Sequence, residues 1–263
     1  MRGQLIPARL DEVFADETKP IEFRANGVTL VAPAHFIQVY IQREYEPMLV
    51  EWIRSHVKPG TTVIDVGAHI GFLSVVLSRA VGPSGHVIAL EPALENIRYL
   101  RTNLERNRAR NVRVEVLAAD SHTGKRAFNI TGSTDSHGFY DHPLTPTMSV
   151  IEVETISLDE LVTSPVELIK IDVEGAELDV LKGMRQTLAA GGPNLLVVEW
   201  TPACQLRAGH SVDELPRQLE QLGFTPRVFD DIKHRVRSVD EVVDLWNAHK
   251  LSEGWYANLV CTR

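Results

Sequence analysis

A chain of 263 residues that is 44% hydrophobic and 24% charged has the composition of a folded globular protein, with enough apolar matter for one large core or two small ones. Its formal net charge of −8 argues against a general nucleic-acid binder, which would carry a basic face. Two cysteines, Cys204 and Cys261, with no pairing motif, exclude a disulfide framework and a cysteine zinc site, so a reducing cytosol is the expected location. No apolar run has the length of a membrane span or a signal core, so neither membrane insertion nor secretion is expected. The basic run Arg98, Arg101, Arg106, Arg108, Arg110 and Arg113 reads as a solvated helix face and the turn after it.

In chain order, residues 1–44 read as an N-terminal extension. Residues 9–15 are weakly amphipathic, and the alternation over 21–31 around Asn26-Gly27 predicts a hairpin. Such an extension suits a cap over a site or a dimer face, which makes a homodimer a candidate assembly. Helical spacing begins at Pro47, with Met48, Leu49, Trp52 and Ile53 on one face, and stops at Lys58-Pro59-Gly60. From there segments at 62–66, 71–81, 86–90, 93–107, 112–117, 166–172, 176–189 and 194–199 alternate strand and helix. That rhythm predicts a parallel sheet covered on both faces in a domain spanning 45–263.

The interval 120–160 breaks the rhythm. It holds a strand at 127–131, a loop at 132–147 rich in glycine, serine and histidine, and a strand at 148–156. Inserted after the third strand, at the edge where such sheets bind ligands, it reads as a substrate lid. Beyond Trp200 a helix is expected around 212–222, another over 238–249, and strands at 225–229 and 255–262.

The segment Val63-Ile64-Asp65-Val66-Gly67-Ala68-His69-Ile70-Gly71-Phe72 is a strand, an acid and a glycine turn opening into a helix. Glycine tolerates positive φ and leaves room for a nucleoside, and the free N–H groups of the helix start face the ligand. A second apolar run, 86–90, ends in Glu91, an acid suited to a bidentate grip on ribose hydroxyls; capping of the following helix is the alternative. Charge separates the cofactor classes. A dinucleotide brings a pyrophosphate and favours G-x-G-x-x-G, whereas here the glycines are spaced G-x-x-x-G and Asp65 would repel phosphate. S-adenosylmethionine (SAM) brings a sulfonium and an ammonium, which Asp65 favours, and a carboxylate for the helix start.

Four segments carry a family likeness: Tyr45-Glu46-Pro47, VIDVGAHIGF at 63–72, VIALEP at 87–92 with Asn96 and Asn103 after it, and LIKIDVEGAELDVLKGM at 168–184. With VVEW at 197–200, the chain from about 41 to about 224 resembles the FkbM-type SAM-dependent methyltransferases. One departure is His69, where that family usually has Asn. The resemblance implies an α/β class I methyltransferase fold, Rossmann-like, with a mostly parallel sheet of seven strands. It also implies methyl transfer to a hydroxyl of a sugar, oligosaccharide or glycosylated natural product, leaving S-adenosylhomocysteine (SAH).

The candidate cofactor residues are then Glu46, Asp65, Gly67, Ala68, His69, Gly71, Glu91, Ala119, Asp120 and Asp172. Asp120, ending the third strand, can accept from the adenine amino group, or form an Asx turn. Glu46 would face the SAM ammonium. Asn96 and Asn103 read as structural, and Glu177 as a helix cap. Asp172 and Glu174 fall beside the transferable methyl, with Lys170, the sulfonium, a metal or a substrate hydroxyl as their partners. Glu199, on the next strand, makes Asp172 and Glu199 candidate ligands for Mg²⁺, with hydrogen bonding to the following loop as the alternative. In the inserted loop His137, or His142 in its place, is the candidate base, so the catalytic set is His137, Asp172 and Glu174. The rivals are N-methylation of an amine and a non-catalytic SAM or nucleotide sensor; a dinucleotide oxidoreductase stands third.

Overall fold

The computed structural model describes residues 20–33 and 45–263. The expected helix at 9–15 lies outside the described residues. Strands β1 (Pro20–Ala25) and β2 (Val28–Pro33) pair antiparallel around Asn26 and Gly27, both at positive φ as a two-residue hairpin turn requires. Phe23, Val28 and Leu30 are buried in the core shared with helices α1 (Pro47–His56) and α2 (Phe72–Val81). The apolar face of the described hairpin is therefore buried within the chain. The hairpin is fixed from outside by helix α3 (Leu94–Arg106) and the residue after it: Asn103 Oδ1 accepts from Val31 N at 2.6 Å and Asn107 Oδ1 from Thr29 N at 3.1 Å. Asn103 also donates to Ile70 O at 2.8 Å, tying the hairpin to the glycine turn, the structural role expected of it.

The central sheet has eight strands. Five run parallel, in the spatial order β5 (Val112–Glu115), β4 (His86–Leu90), β3 (Thr62–Val66), β9 (Leu168–Ile171) and β10 (Leu195–Trp200). Antiparallel β13 (Ala257–Thr262) follows, then β11 (Thr225–Asp230) and β12 (Arg235–Arg237). The expected seven strands are all present; the eighth, β12, is a three-residue edge that folds back on β11. Alternate residues point to opposite faces. Val63, Leu168 and Val197 pack with α1 to α3, whereas Ile64, Ile169 and Val198 form the second core layer. The strand order reverses between β3 and β9, and the crevice outside their carboxyl ends is where such sheets take ligands.

The insertion forms its own three-stranded sheet from β6 (Ala118–Ala119), β7 (Gly124–Thr131) and β8 (Thr147–Ile156). A bridge between Asn129 and Gly138 folds the connecting loop back over the crevice. The helix expected at 176–189 is two, α5 (Glu177–Lys182) and α6 (Arg185–Ala189), because the chain must pass Asp120 between them: a Cβ on Gly183 would lie 2.1 Å from Asp120 O. Further helices are α4 (Leu158–Leu161), α7 (Pro202–Arg207), α8 (Glu214–Gln221) and α9 (Val239–Asn247), of which α4 and α7 were not anticipated. Among the described residues no helix is long and apolar enough to cross a membrane.

Candidate active site

A cavity of about 240 Å³ opens at the carboxyl ends of β3, β4, β9 and β10, walled on its outer side by the insertion. Gly67, Ala68, His69, Glu91, Ala119 and Asp172 line it, together with Glu174, Glu199, His137 and His142. Glu46, Asp65, Gly71 and Asp120, also expected at the cofactor, do not, and each has a physical reason for being elsewhere.

The turn after β3 is shaped by its neighbours as much as by a ligand. Gly67 has φ +74°, and a Cβ there would sit 1.8 Å from Asp172 O, so the close approach of β3 to the exit of β9 demands glycine. Gly71 starts α2 at φ +89°, where a Cβ would meet Leu100 Cδ1 at 2.5 Å; it serves helix packing and not the ligand. His69 has φ +50°, donates its backbone N–H to Glu91 Oε2 at 2.9 Å, and bonds Thr134 Oγ1 through Nε2 at 3.0 Å. Burial pushes its ring down to about 4, so the imidazole is neutral near pH 7.

Asp65 and Lys170 stand opposite each other in the parallel register of β3 and β9, beneath α2. Ser74 Oγ donates to Asp65 Oδ2 at 2.5 Å, and Lys170 Nζ lies 3.5 Å from Oδ1, 3.0 Å from Gly67 O and 3.0 Å from Asp172 Oδ2. Burial disfavours the ammonium, but Asp172 and Asp65 outweigh it and hold the Lys170 pKa above its ordinary value. Asp65 therefore anchors, from outside the cavity lining, a lysine that lines the cavity.

Glu91 is 5% exposed and mostly occupied by the protein. Its Oε1 accepts from Ala93 N at 2.9 Å and Asn96 Nδ2 at 3.2 Å, and its Oε2 from His69 N. Each carboxylate oxygen offers two acceptor positions, so the expected bidentate grip narrows to one free position, at Oε2. Asp120 is turned away: its Oδ1 accepts from Ser121 N at 2.7 Å and from Arg126 Nη1 at 3.1 Å, the turn reading joined to an ion pair. Glu46, at φ +46°, takes a 2.8 Å bond from Asn258 Nδ2, and burial pushes its carboxyl up to about 8; its neighbour Tyr45 is the one that lines the cavity.

At the other end, Asp172, Glu174 and Glu199 bring carboxylate oxygens within 4.8 Å of one another. Burial first, then the charge of Asp172, raises Glu174 and Glu199 well above the ordinary carboxylate range. Glu174 sits at φ +53°, held there because Glu177 Oε1 accepts from Val173 N at 3.1 Å and Gly175 N at 3.2 Å on either side of it. Glu177 thus braces the turn before α5 and is not the helix cap expected of it, since α5 has no side-chain cap. Cys204 Sγ donates to Glu174 Oε2 at 3.4 Å.

Both loop histidines have their proton placed by the backbone. His137 Nδ1 accepts from Thr131 N at 3.1 Å, so the neutral ring carries its hydrogen on Nε2, the atom with no partner. His142 Nδ1 accepts from Leu144 N at 3.2 Å and Thr145 N at 3.1 Å, and its Nε2 lies 3.7 Å from Glu174 Oε2. Each ring therefore offers a donor at Nε2. A base needs a lone pair there, so neither His137 nor its substitute is set up as the proton acceptor expected from sequence. Asn96, Phe128, Thr134 and Tyr256 also line the cavity without having been marked for it. Asn96 was within reach of sequence reasoning, since it lies in the first turn of the helix that follows Glu91.

The methyltransferase FkbM domain matches residues 65–226, more than half of the chain. Over 67 residues the chain is 43% identical to a protein-L-isoaspartate O-methyltransferase of Aeropyrum pernix, covering 26% of this chain and 25% of that protein. It is 43% identical over 54 residues to an arsenite methyltransferase of Halobacterium salinarum, covering 20% of this chain and 14% of that one. The chain thus spans about a quarter or less of the length of these curated relatives, whose names state unlike acceptors. Among solved structures, SMU.1697c of Streptococcus mutans in complex with SAH is similar at 11% identity and a TM-score of 0.48, covering 82% of this chain and 95% of that one. The domain match, over the residues that build this glycine turn and these strand ends, shows that the chain belongs to the FkbM methyltransferase family.

Proposed function

We propose that this chain transfers a methyl group from SAM to a hydroxyl of a sugar, oligosaccharide or glycosylated natural product, with donor and acceptor meeting in the cavity at the carboxyl edge of the sheet. The observation that supports this most is the pairing of unlike groups at its two ends. Glu91 keeps one acceptor position for a ribose hydroxyl, and Asp172, Glu174 and Glu199 converge where a cation and a proton must be managed. Bound SAM would supply a methyl group activated on a cationic sulfur. The turn 67–69, Glu91 and Ala119 would hold its nucleoside, and Asp172 its positive charge.

An attacking hydroxyl must lose its proton, and the carboxylates are the groups with free oxygens to take it. Raised affinity for protons makes Glu174 or Glu199, once ionised, a stronger base than an ordinary glutamate. Phe128, Phe139, Tyr45 and Tyr256 line the cavity and give it apolar walls. Alignment of oxygen with methyl would supply most of the acceleration. Among the described residues Lys170 is the single Lys or Arg lining the cavity, beside several acids, which suits a neutral polyol and disfavours a nucleic acid. Action on a soluble acceptor in the cytosol is part of this reading.

The same three carboxylates form an all-oxygen set that Mg²⁺ accepts, and that ion would hold and acidify the hydroxyl. The test is transfer from methyl-labelled SAM to a mixture of hydroxyl-only glucose oligomers and amino-bearing glucosamine oligomers, with EDTA or Mg²⁺. Label on oxygen is the expected result; label on nitrogen would replace the reading with N-methylation. Loss of transfer in EDTA restored by Mg²⁺ would give the carboxylates a metal, and transfer unchanged by EDTA would leave the proton to them alone.

A further inference from the structure

The cavity contains two buried polar atoms that the protein leaves without a partner, Asn96 Oδ1 and His137 Nε2, on residues 2% and 8% exposed. Among the described residues, the other unpartnered buried side-chain atoms belong to residues that do not line this cavity. Leaving a buried donor or acceptor unpaired costs about 1–3 kcal/mol. A pair of them on residues that line one cavity is therefore an imprint that a ligand with matching groups would satisfy.

The polarity of both atoms is fixed by what lies behind them. Asn96 Nδ2 donates to Glu91 Oε1 at 3.2 Å and to Thr134 O at 3.0 Å; with the amide reversed, its oxygen would face two oxygens, so Oδ1 is the atom left without a partner. His137 Nδ1 accepts from Thr131 N, and Thr131 Oγ1 lies 3.3 Å from the same nitrogen, so Nε2 carries the hydrogen. The two are close along the chain of contacts, because the carbonyl that holds Asn96 belongs to Thr134, three residues before His137. Two residues lining one cavity, joined through the 134–137 segment, thus leave an acceptor and a donor unbonded. Phe128, set edge-on to the His137 ring with centroids 6.4 Å apart, and the small residues Ala118 and Ala119 provide flat apolar surface beside them.

We propose that Asn96 and His137 read the purine of the cofactor, Asn96 Oδ1 accepting from the exocyclic amino group and His137 Nε2–H donating to an adjacent ring nitrogen. This rests on the SAM reading above. Adenine presents an amino donor flanked by ring-nitrogen acceptors, the complement of this pair, and flipped or free bases are read in this way, by edge hydrogen bonds combined with stacking. The role falls to the inserted loop and α3 because Asp120, at the strand end expected to do it, is committed to Arg126.

Calorimetric titration with SAH and with S-inosylhomocysteine tests this. The inosine analogue puts a carbonyl where adenine has its amino group and a hydrogen on N1, reversing the pattern. The wild-type protein is expected to prefer SAH by about 100-fold, as two edge hydrogen bonds allow. In His137→Phe, and independently in Asn96→Leu, which removes the accepting oxygen, the preference should fall below about 10-fold. A merely structural role would weaken both ligands together and leave the ratio unchanged. Wild-type binding of the two ligands within about threefold, or an unchanged ratio in His137→Phe, overturns the assignment while leaving SAM as cofactor. Failure of the wild-type protein to bind SAH at all overturns the cofactor reading and this inference with it.

Discussion

Asp65 is completely buried, yet Ser74 donates to it and Lys170 faces it in register across two parallel strands. One strand further along the sheet, Asp172, Glu174 and Glu199 crowd their oxygens together, and of the three only Asp172 touches that same lysine. Asp65 has a donor and a cation of its own and does not line the cavity; the three acids of the second set line it and share one cation. Acids compensated within the protein hold the fold, and acids left short of positive charge keep the capacity to bind a cation and move a proton. The contrast can be broken from either side.

The largest effect on stability is expected from Lys170→Met, which strands Asp65 in the core. Removal of one partner from a buried pair costs about 3–5 kcal/mol, read as a fall in the denaturant midpoint, and the companion Asp65→Asn should restore part of it. Gly67→Ala comes next: its Cβ would collide with Asp172 O and its φ of +74° is unfavourable for alanine, so a loss of about 1–3 kcal/mol is expected, with SAH affinity falling as the turn shifts.

Changes in the second set should behave in the opposite way. Glu199→Gln and Glu174→Gln are expected to lower turnover about 10²- to 10⁴-fold while leaving SAH binding intact. Because the folded state holds these protons to higher pH than the unfolded chain does, stability declines as pH rises above the ordinary carboxylate range. Each Gln variant should therefore be more stable than the wild type at pH 8, with the gain disappearing toward pH 4. For the same reason wild-type turnover should rise with pH as the cluster loses its shared proton, a limb that belongs to the set and not to one residue. The smallest effect is expected for Asp120→Asn: loss of the Arg126 pair, which is partly exposed, should cost about 1 kcal/mol or less and leave SAH affinity unchanged.

The sheet was legible because both of its faces are covered, so the apolar runs at 62–66, 168–171 and 195–200 stand out from the helices between them. The hairpin was legible from Asn26-Gly27. What pattern could not show was contact at a distance: the break between α5 and α6 exists because Gly183 passes Asp120, and β12 is too short to leave a period. In the site, strand order alone brought Asp172 and Glu199 together. Whether an acid is compensated, and on which nitrogen a histidine carries its proton, depends on residues far away in sequence, and there the expectations for Asp65, Glu46, Asp120 and His137 gave way. The turn glycines were read as clearing space for a ligand, whereas Gly67 and Gly71 clear space for Asp172 and Leu100.

Calorimetric titration of the purified protein with SAH, with NAD as the control, tests the central claim most directly. Binding of SAH in the micromolar range without NAD binding is expected of a cavity that meets a nucleoside through Glu91 and a cation through Asp172. NAD binding in place of SAH, or no binding of either, would contradict it.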